Sequence, residues 1–412
     1  MTPTHATSRD GALAPKATGV VQGPLRVVHI ITGLDVGGAE MMLYKLLRER
    51  NRAQIEPLVI SLSDIGRLGA GILELGVPVE CLHLNPRSIA SLFQAPAAIW
   101  RLRSLLKAFG PDLVQTWMYH ADLIGGVVSR LTSRAPVIWN IRASDLEPGV
   151  IRRSTRMILR VCARLSHSIP AKIVCCSEAS RVAHGRHGYA AEKFETIANG
   201  FELDRYTPDA QAYREVREEI GASPETVVIG VFGRYHPMKG HRNFLTAAAI
   251  IRSPDSDNPC HFVLCGDGID EQNQELSAMI RDLGIGDRVH LLGRRSDMPR
   301  LAAGMDVLCS ASTCCESFPN VVGEAMAAGV PCVVTDVGDS AVIVGDTGLV
   351  VPPGQPSELA AACTELINLE REQRSALGAR ARERVVERFD IRMITKQYEE
   401  LYSRVAAHEE KY

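Results

Sequence analysis

The 412-residue chain has no disulfide or zinc signature, no apolar run of eighteen residues and a net charge of only −2. Each absence removes a class of protein. Its eleven cysteines include the adjacent pairs Cys175-Cys176 and Cys314-Cys315, but no C-x-x-C spacing. The count is odd, and Cys265, Cys309 and Cys332 fall in apolar strand-like runs, where a thiol behaves as a small hydrophobe. Such usage fits a reducing compartment. Without a long apolar run no transmembrane helix is predicted. The opening stretch MTPTHATSRDGALAPKATGVVQG, residues 1–23, lacks the apolar centre of a signal peptide and reads as a disordered lead-in. A cytoplasmic protein is therefore expected, with any membrane contact peripheral at the inner face. The small net charge carries no signal for nucleic acid, and no nucleic-acid partner is expected. No internal repeat is visible.

What the chain does contain is alternation. A length of 412 residues with 46% hydrophobic content suits two globular cores. From residue 24 onward, β-branched runs such as Leu25–Ile31, Pro57–Leu62, Val77–Leu82, Leu113–Thr116, Val137–Asn140 and Lys172–Cys175 alternate with helical patterns at Ala39–Arg50, Gly66–Leu75, Ala97–Phe109 and Val150–Ser166. A polar stretch from Asn199 to Glu225 interrupts the pattern, which restarts at Val227–Phe232. Repeated β/α units predict a parallel sheet covered by helices. Two tandem sets predict an α/β protein of two Rossmann-like domains facing across a cleft, residues 24–205 and 206–389. Charge divides the same way. Residues 1–205 hold 25 Lys+Arg and 17 Asp+Glu, a net of +8; residues 206–412 hold 21 and 31, a net of −10. The basic half is the one suited to an anionic surface. Within it Arg152, Arg156, Arg160 and Arg164 recur every fourth residue, a basic stripe on a helix. Such a helix can lie on a membrane or simply cover the domain with a solvated face.

Chemistry-bearing residues collect in loops that follow strands, where open α/β sheets bind ligands. Gly37-Gly38, in TGLDVGGAE, allow a tight turn into a helix, but this is not the G-x-G-x-x-G of a nicotinamide site. His120, in QTWMYHADLIGG, follows a strand and opens a helix. Asn140, Arg142 and Asp145 follow the next strand. In the second half VFGRYHPMKGH places Gly233, Arg234 and Lys239 after a strand, CGDG places Gly266 and Gly268, and LGRR places Arg294. Two cations suit the charge that develops on a diphosphate leaving group. Finally, Glu316 and Glu324 stand eight apart in CCESFPNVVGEAMAAGVP, the first in a loop and the second in a helix predicted to begin near Pro319 and end at Gly329. Carboxylates beside a helix N-terminus suit a ligand with hydroxyls and phosphates. Each feature also has a plainer reading as a helix-entry turn, a packed histidine or a solvated charge.

The stretch CCESFPNVVGEAMAAGVPCVVTDVG resembles the E-x7-E region of family 4 (group 1) glycosyltransferases, which have the GT-B fold and retain anomeric configuration. The resemblance covers almost all of residues 25–405. It implies a C-terminal helix, 390–412, crossing back to the first domain. It implies that Glu316 meets the donor sugar, that Glu324 holds the ribose, and that the backbone near Asn320, Val321 and Val322 meets the diphosphate. By the same likeness His120 contacts the reacting centre, while Gly37, Gly38, Gly233, Arg234, Lys239, Gly266, Gly268 and Arg294 frame the donor. Arg142 and Asp145 are acceptor-side candidates. The implied activity moves a hexosyl group from a nucleotide-sugar, with UDP the expected carrier, to a lipid-linked or glycan acceptor in bacterial polysaccharide or glycolipid assembly. No obligatory metal or other cofactor is expected, because Arg234 and Lys239 supply the positive charge. An epimerase-type enzyme on the same fold, a transferase with a small soluble acceptor, and a non-catalytic binding protein remain open at this point.

Overall fold

The computed structural model describes residues 23–84, 90–144, 146, 153–251 and 260–407. The expected lead-in, apart from Gly23, lies outside these, as do Asp145 and Arg152. Two parallel sheets organise the chain. The first is built from β1 (Leu25–Ile31), β2 (Ile55–Ser61), β3 (Val79–Cys81), β4 (Leu113–Trp117), β5 (Val137–Ile141), β6 (Lys172–Cys175) and β7 (Phe194–Thr196), in the order β3-β2-β1-β4-β5-β6-β7. The second is built from β8 (Val228–Phe232), β9 (His261–Cys265), β10 (Val289–Leu291), β11 (Val307–Ser310), β12 (Cys332–Thr335) and β13 (Leu349–Val351), in the order β10-β9-β8-β11-β12-β13. Both orders are doubly wound, with reversals between β1 and β4 and between β8 and β11. Those reversals are where ligand crevices open in such sheets.

The central strands carry apolar side chains on both faces because helices cover both faces. In β1, Val28 and Ile30 join one core cluster while Val27 and Ile31 join another. The second sheet divides in the same manner, with Leu308 on one side and Val307 and Cys309 on the other. Among the described residues no helix is long and apolar enough to cross a membrane.

The helix Ile391–Ala406 returns to the first domain. Ile391, Ile394, Tyr398, Leu401, Tyr402 and Val405 pack into the cluster that holds Val27 and Ile31. Tyr402 Oη donates to buried Gln115 of β4. Tyr398 Oη accepts hydrogen bonds from Asn140 Nδ2 at 3.1 Å and Arg142 Nη1 at 3.0 Å.

The polar stretch that interrupts the β/α pattern after Asn199 contributes side chains to the core. Phe201, Leu203 and Tyr206 are buried, as are Asn199 and Glu202. Phe201 forms a parallel bridge with Asp390, so the chain passes between the domains twice, side by side. Gly323 is needed here, because a Cβ on it would lie 2.0 Å from Phe201 Cζ. The helix Ala90–Phe109 also begins seven residues before its expected start at Ala97; Pro96 lies inside it, where a sequence reading takes proline as a break.

Candidate functional site

The described site residues lie in segments that follow strands: β1, β4 and β5 in the first sheet, and β8, β9, β10 and β11 in the second. On the second domain, the loop after β8 carries Gly233, Arg234 and Lys239, and the loop after β11 carries Glu316. Lys239 Nζ and Glu316 Oε1 form an ion pair, their side chains 22% and 12% exposed. Ser312 Oγ donates to the same carboxylate oxygen at 3.0 Å. Arg234 is exposed and has no ion-pair partner among the described residues. One cation of this loop is therefore anchored on a carboxylate and the other is loose. Gly266 follows β9, its N–H donating to Gly293 O at 2.9 Å. At φ 157°, with a built Cβ only 2.0 Å from Gly233 O, this position admits no side chain. Gly268 is left-handed, at φ 71°. Arg294 is exposed beyond β10, and its neighbour Arg295 is tied to Asp297 and Glu219 instead.

Asn320, Val321 and Val322 form the first turn of the helix Asn320–Ala327. The Val322 side chain is fully buried and its N–H bonds Pro319 O at 3.3 Å; among the described residues the N–H groups of Asn320 and Val321 have no partner, the open donors a helix start offers. Glu324 lies one turn further along. Burial pushes its carboxyl above the usual carboxylate range, while Lys45 and a Tyr206 hydrogen bond pull it back. Its side chain keeps 20% exposure.

On the first domain, Gly37 and Gly38 lead from β1 into the helix Gly38–Glu49. His120 is the second residue of the helix Tyr119–Thr132, after β4; burial lowers its pKa. Strain marks both candidate centres. Met118, two before His120, and Cys315, immediately before Glu316, are both at φ 69°, two of the three non-glycine residues with positive φ among those described. Such backbone costs on the order of 1–3 kcal/mol and is found where a side chain must be aimed.

Several residues join the domains. Arg142 Nη2 donates to Asn199 Oδ1, and Asn199 Nδ2 donates to Asn320 Oδ1 at 2.7 Å. Together with its bonds to Asn140 and Tyr398, this engages the Arg142 guanidinium as a strut beside the first turn of the helix Asn320–Ala327. Ser144 Oγ donates to Glu316 O at 2.6 Å. Asp339 of the second domain accepts from the N–H groups of Glu178 and Ala179 at 2.8 and 3.0 Å, capping a first-domain helix from across the interface.

Sequence reasoning missed three polar groups. Lys45 and Glu202 are buried between the domains, with Lys45 Nζ 3.6 Å from Glu202 and 3.9 Å from Glu324. Asp122, two residues after His120, is fully buried and accepts from Thr116 Oγ1; burial pushes its carboxyl up to about 7. Only Asp122 stood inside a singled-out motif, so it alone had a local signal. Among the described residues no group of three or more His, Cys, Asp or Glu side chains converges as metal ligands would.

Comparison with known proteins follows the two-domain division. The family described as Glycosyltransferase Family 4 matches residues 36–205, and Glycosyl transferases group 1 matches residues 226–369. A protein of Bacillus subtilis (strain 168), provisionally named glycosyltransferase EpsF, is 26% identical over 326 residues, 76% of this chain and 79% of that protein. An Escherichia coli UDP-Gal:alpha-D-GlcNAc-diphosphoundecaprenol alpha-1,3-galactosyltransferase is 25% identical over 264 residues, 63% of this chain and 65% of that protein. Among solved structures, Anabaena Alr3699/HepE in complex with UDP-glucose superposes with a TM-score of 0.78 at 27% identity, covering 92% of this chain and all of that one. Its UDP complex gives a TM-score of 0.80.

Proposed function

This chain belongs to the family 4, group 1 glycosyltransferases of GT-B fold, and on that premise we propose that it moves a hexosyl group from a UDP-sugar to an acceptor hydroxyl with retention of configuration. The observation that carries this reading is the convergence of Lys239 on Glu316 beside the Gly233–Gly266 backbone, with Glu324 on the helix that follows Glu316. A relative of the same fold in complex with UDP-glucose supports the choice of donor.

In this reading Arg234 and Lys239 hold the diphosphate and stabilise the charge that grows on it as the bond to the sugar breaks. Their positive charge stands in for an obligatory metal. Glu316, fixed by Lys239 and Ser312, accepts hydrogen bonds from the sugar hydroxyls. Glu324 takes the ribose hydroxyls. His120 meets the donor near the anomeric carbon as a neutral imidazole, in keeping with its lowered pKa. The C1–O bond to phosphate breaks and the C1–O bond to the acceptor forms on the same face. The acceptor's proton passes to the departing phosphate oxygen, so no protein carboxylate serves as nucleophile.

The acceptor is lipid-linked or a glycan, in bacterial polysaccharide or glycolipid assembly, and the first domain meets the membrane peripherally at its cytoplasmic face. Support comes from the helix Arg153–Leu165, which turns Arg153, Met157, Arg160, Val161 and Arg164 outward. Met157 is 65% exposed and Leu131, on the preceding helix, 78%. Basic and apolar groups on one outer face are what an anionic bilayer binds.

The test is nucleotide release from a panel of UDP-, GDP- and ADP-sugars, with and without membrane extract, followed by NMR of the product anomer. Release that requires one UDP-sugar and the extract, with a retained product, supports the reading. Turnover of the nucleotide-sugar without acceptor indicates epimerase-type chemistry, and an inverted anomer overturns the mechanism.

A further inference from the structure

The helix Gly38–Glu49 buries an ammonium that the reaction as described does not use. Lys45 is 3% exposed. Its Nζ lies 3.6 Å from Glu202 Oε2 and 3.9 Å from Glu324 Oε1, donates to Gly200 O at 3.4 Å, and stands 5.9 Å from the Phe201 ring centroid. The two carboxylates are not equally served. Glu202 also pairs with Arg48, and Arg205 lies 3.7 Å from it. Glu324 has Lys45 as its sole ion-pair partner among the described residues. A buried charge is tolerated when it is paired, and Glu324 draws its pairing from the opposite domain.

We propose that Lys45 is a positioning residue for donor recognition: supplied by the first domain, it keeps the Glu324 carboxylate ionised and aimed, so that the ribose site is complete only when the two domains meet. This rests on the reading of Glu324 as the ribose-binding residue. The groups facing Glu324 are Lys45 from the first-domain helix, and Glu202, Arg205 and Tyr206 from the segment that crosses between the domains. Burial and Glu202 raise its pKa; Lys45, the Tyr206 hydrogen bond and Arg205 lower it. Burial raises the Tyr206 phenol, so Tyr206 remains a neutral donor. An ionised carboxylate accepts from two ribose hydroxyls, whereas a protonated one offers a donor in place of an acceptor. Without Lys45 the acid limb of donor binding moves to higher pH.

The experiment is donor KM and kcat from pH 5.5 to 9 for the wild type, Lys45→Met, Lys45→Arg, Glu202→Gln and Glu324→Ala, with circular dichroism confirming the fold of each. An opposite charge within ~4–6 Å is worth about one or more pKa units. Lys45→Met is therefore expected to raise donor KM roughly ten-fold near pH 6, to return towards the wild type near pH 9, and to change kcat little. Lys45→Arg restores the profile, and Glu202→Gln moves the limb to lower pH, a direction that simple loss of packing does not produce. An unchanged KM in Lys45→Met, or a rise by the same factor at every pH, overturns the proposal. The Glu324→Ala arm separates the two readings. If it leaves donor KM unchanged, the ribose assignment fails and takes the proposal with it; if it raises KM while Lys45→Met does not, the ribose assignment stands and only the role of Lys45 fails.

Discussion

Lys239 Nζ and Glu316 Oε1 form an ion pair across 77 positions of sequence, fastening the loop after β8 to the loop after β11 at the reversal of the second sheet. Each partner fixes the other, so removing one changes more than its own contact with a ligand. Lys239→Ala is expected to lower kcat/KM for the donor roughly 100-fold or more, the scale of losing a fixed group at a developing negative charge. The melting temperature should fall as well, because the mostly buried Glu316 carboxylate loses its cation. Steady-state nucleotide release and a thermal melt check both.

Asp122 makes stability depend on pH. Its carboxyl is held near 7 in the fold against an ordinary 3.8, so the native state binds the extra proton. The stability this supplies is present below about pH 4 and is lost as pH rises through 7. Asp122→Asn removes the titration and keeps an acceptor for Thr116 Oγ1. Melting temperatures of the variant should therefore vary less than those of the wild type between pH 5 and 8, and lie higher at pH 8.

Arg142 is expected to behave first as a structural strut. Arg142→Ala leaves Asn199 Oδ1 and Asn140 Oδ1 without the partner they have now, at a cost of about 1–3 kcal/mol. Chemical denaturation measures that loss. A separate rise in acceptor KM would add the acceptor contact that its position after β5 suggests.

Gly266→Ala places a methyl against Gly233 O in a backbone region closed to side chains. The loops after β8 and β9 must separate, and donor KM is expected to rise at least ten-fold. Calorimetric titration with UDP reads the change directly.

Much of the site's framework is legible in the sequence itself. The strands that hold the site are β-branched runs ending in glycine or polar loops, so β1, β4, β8 and β11 and the residues behind them could be read locally. What escaped depended on distance in sequence or on brevity. Lys45 lies on an amphipathic helix, where a lysine reads as solvated, and its partners Glu202 and Glu324 are 157 and 279 positions away by subtraction. The stretch after Asn199 looks polar because its buried members, Phe201, Leu203 and Tyr206, are interspersed with charged residues, of which Glu202 pairs with Lys45 and Arg48 of the helix Gly38–Glu49. β7 and β13 have three residues each, too few for a period of two to stand out.

The helix Ile391–Ala406 has a consequence for how the molecule is made. It supplies six side chains to the core around β1 and β4, yet it is not synthesised until the whole second domain has been translated. The first domain, although translated first, waits with that face uncovered while its neighbour folds. Domain 24–205 expressed alone should therefore be aggregation-prone, and adding the segment 390–407 in trans should rescue its solubility.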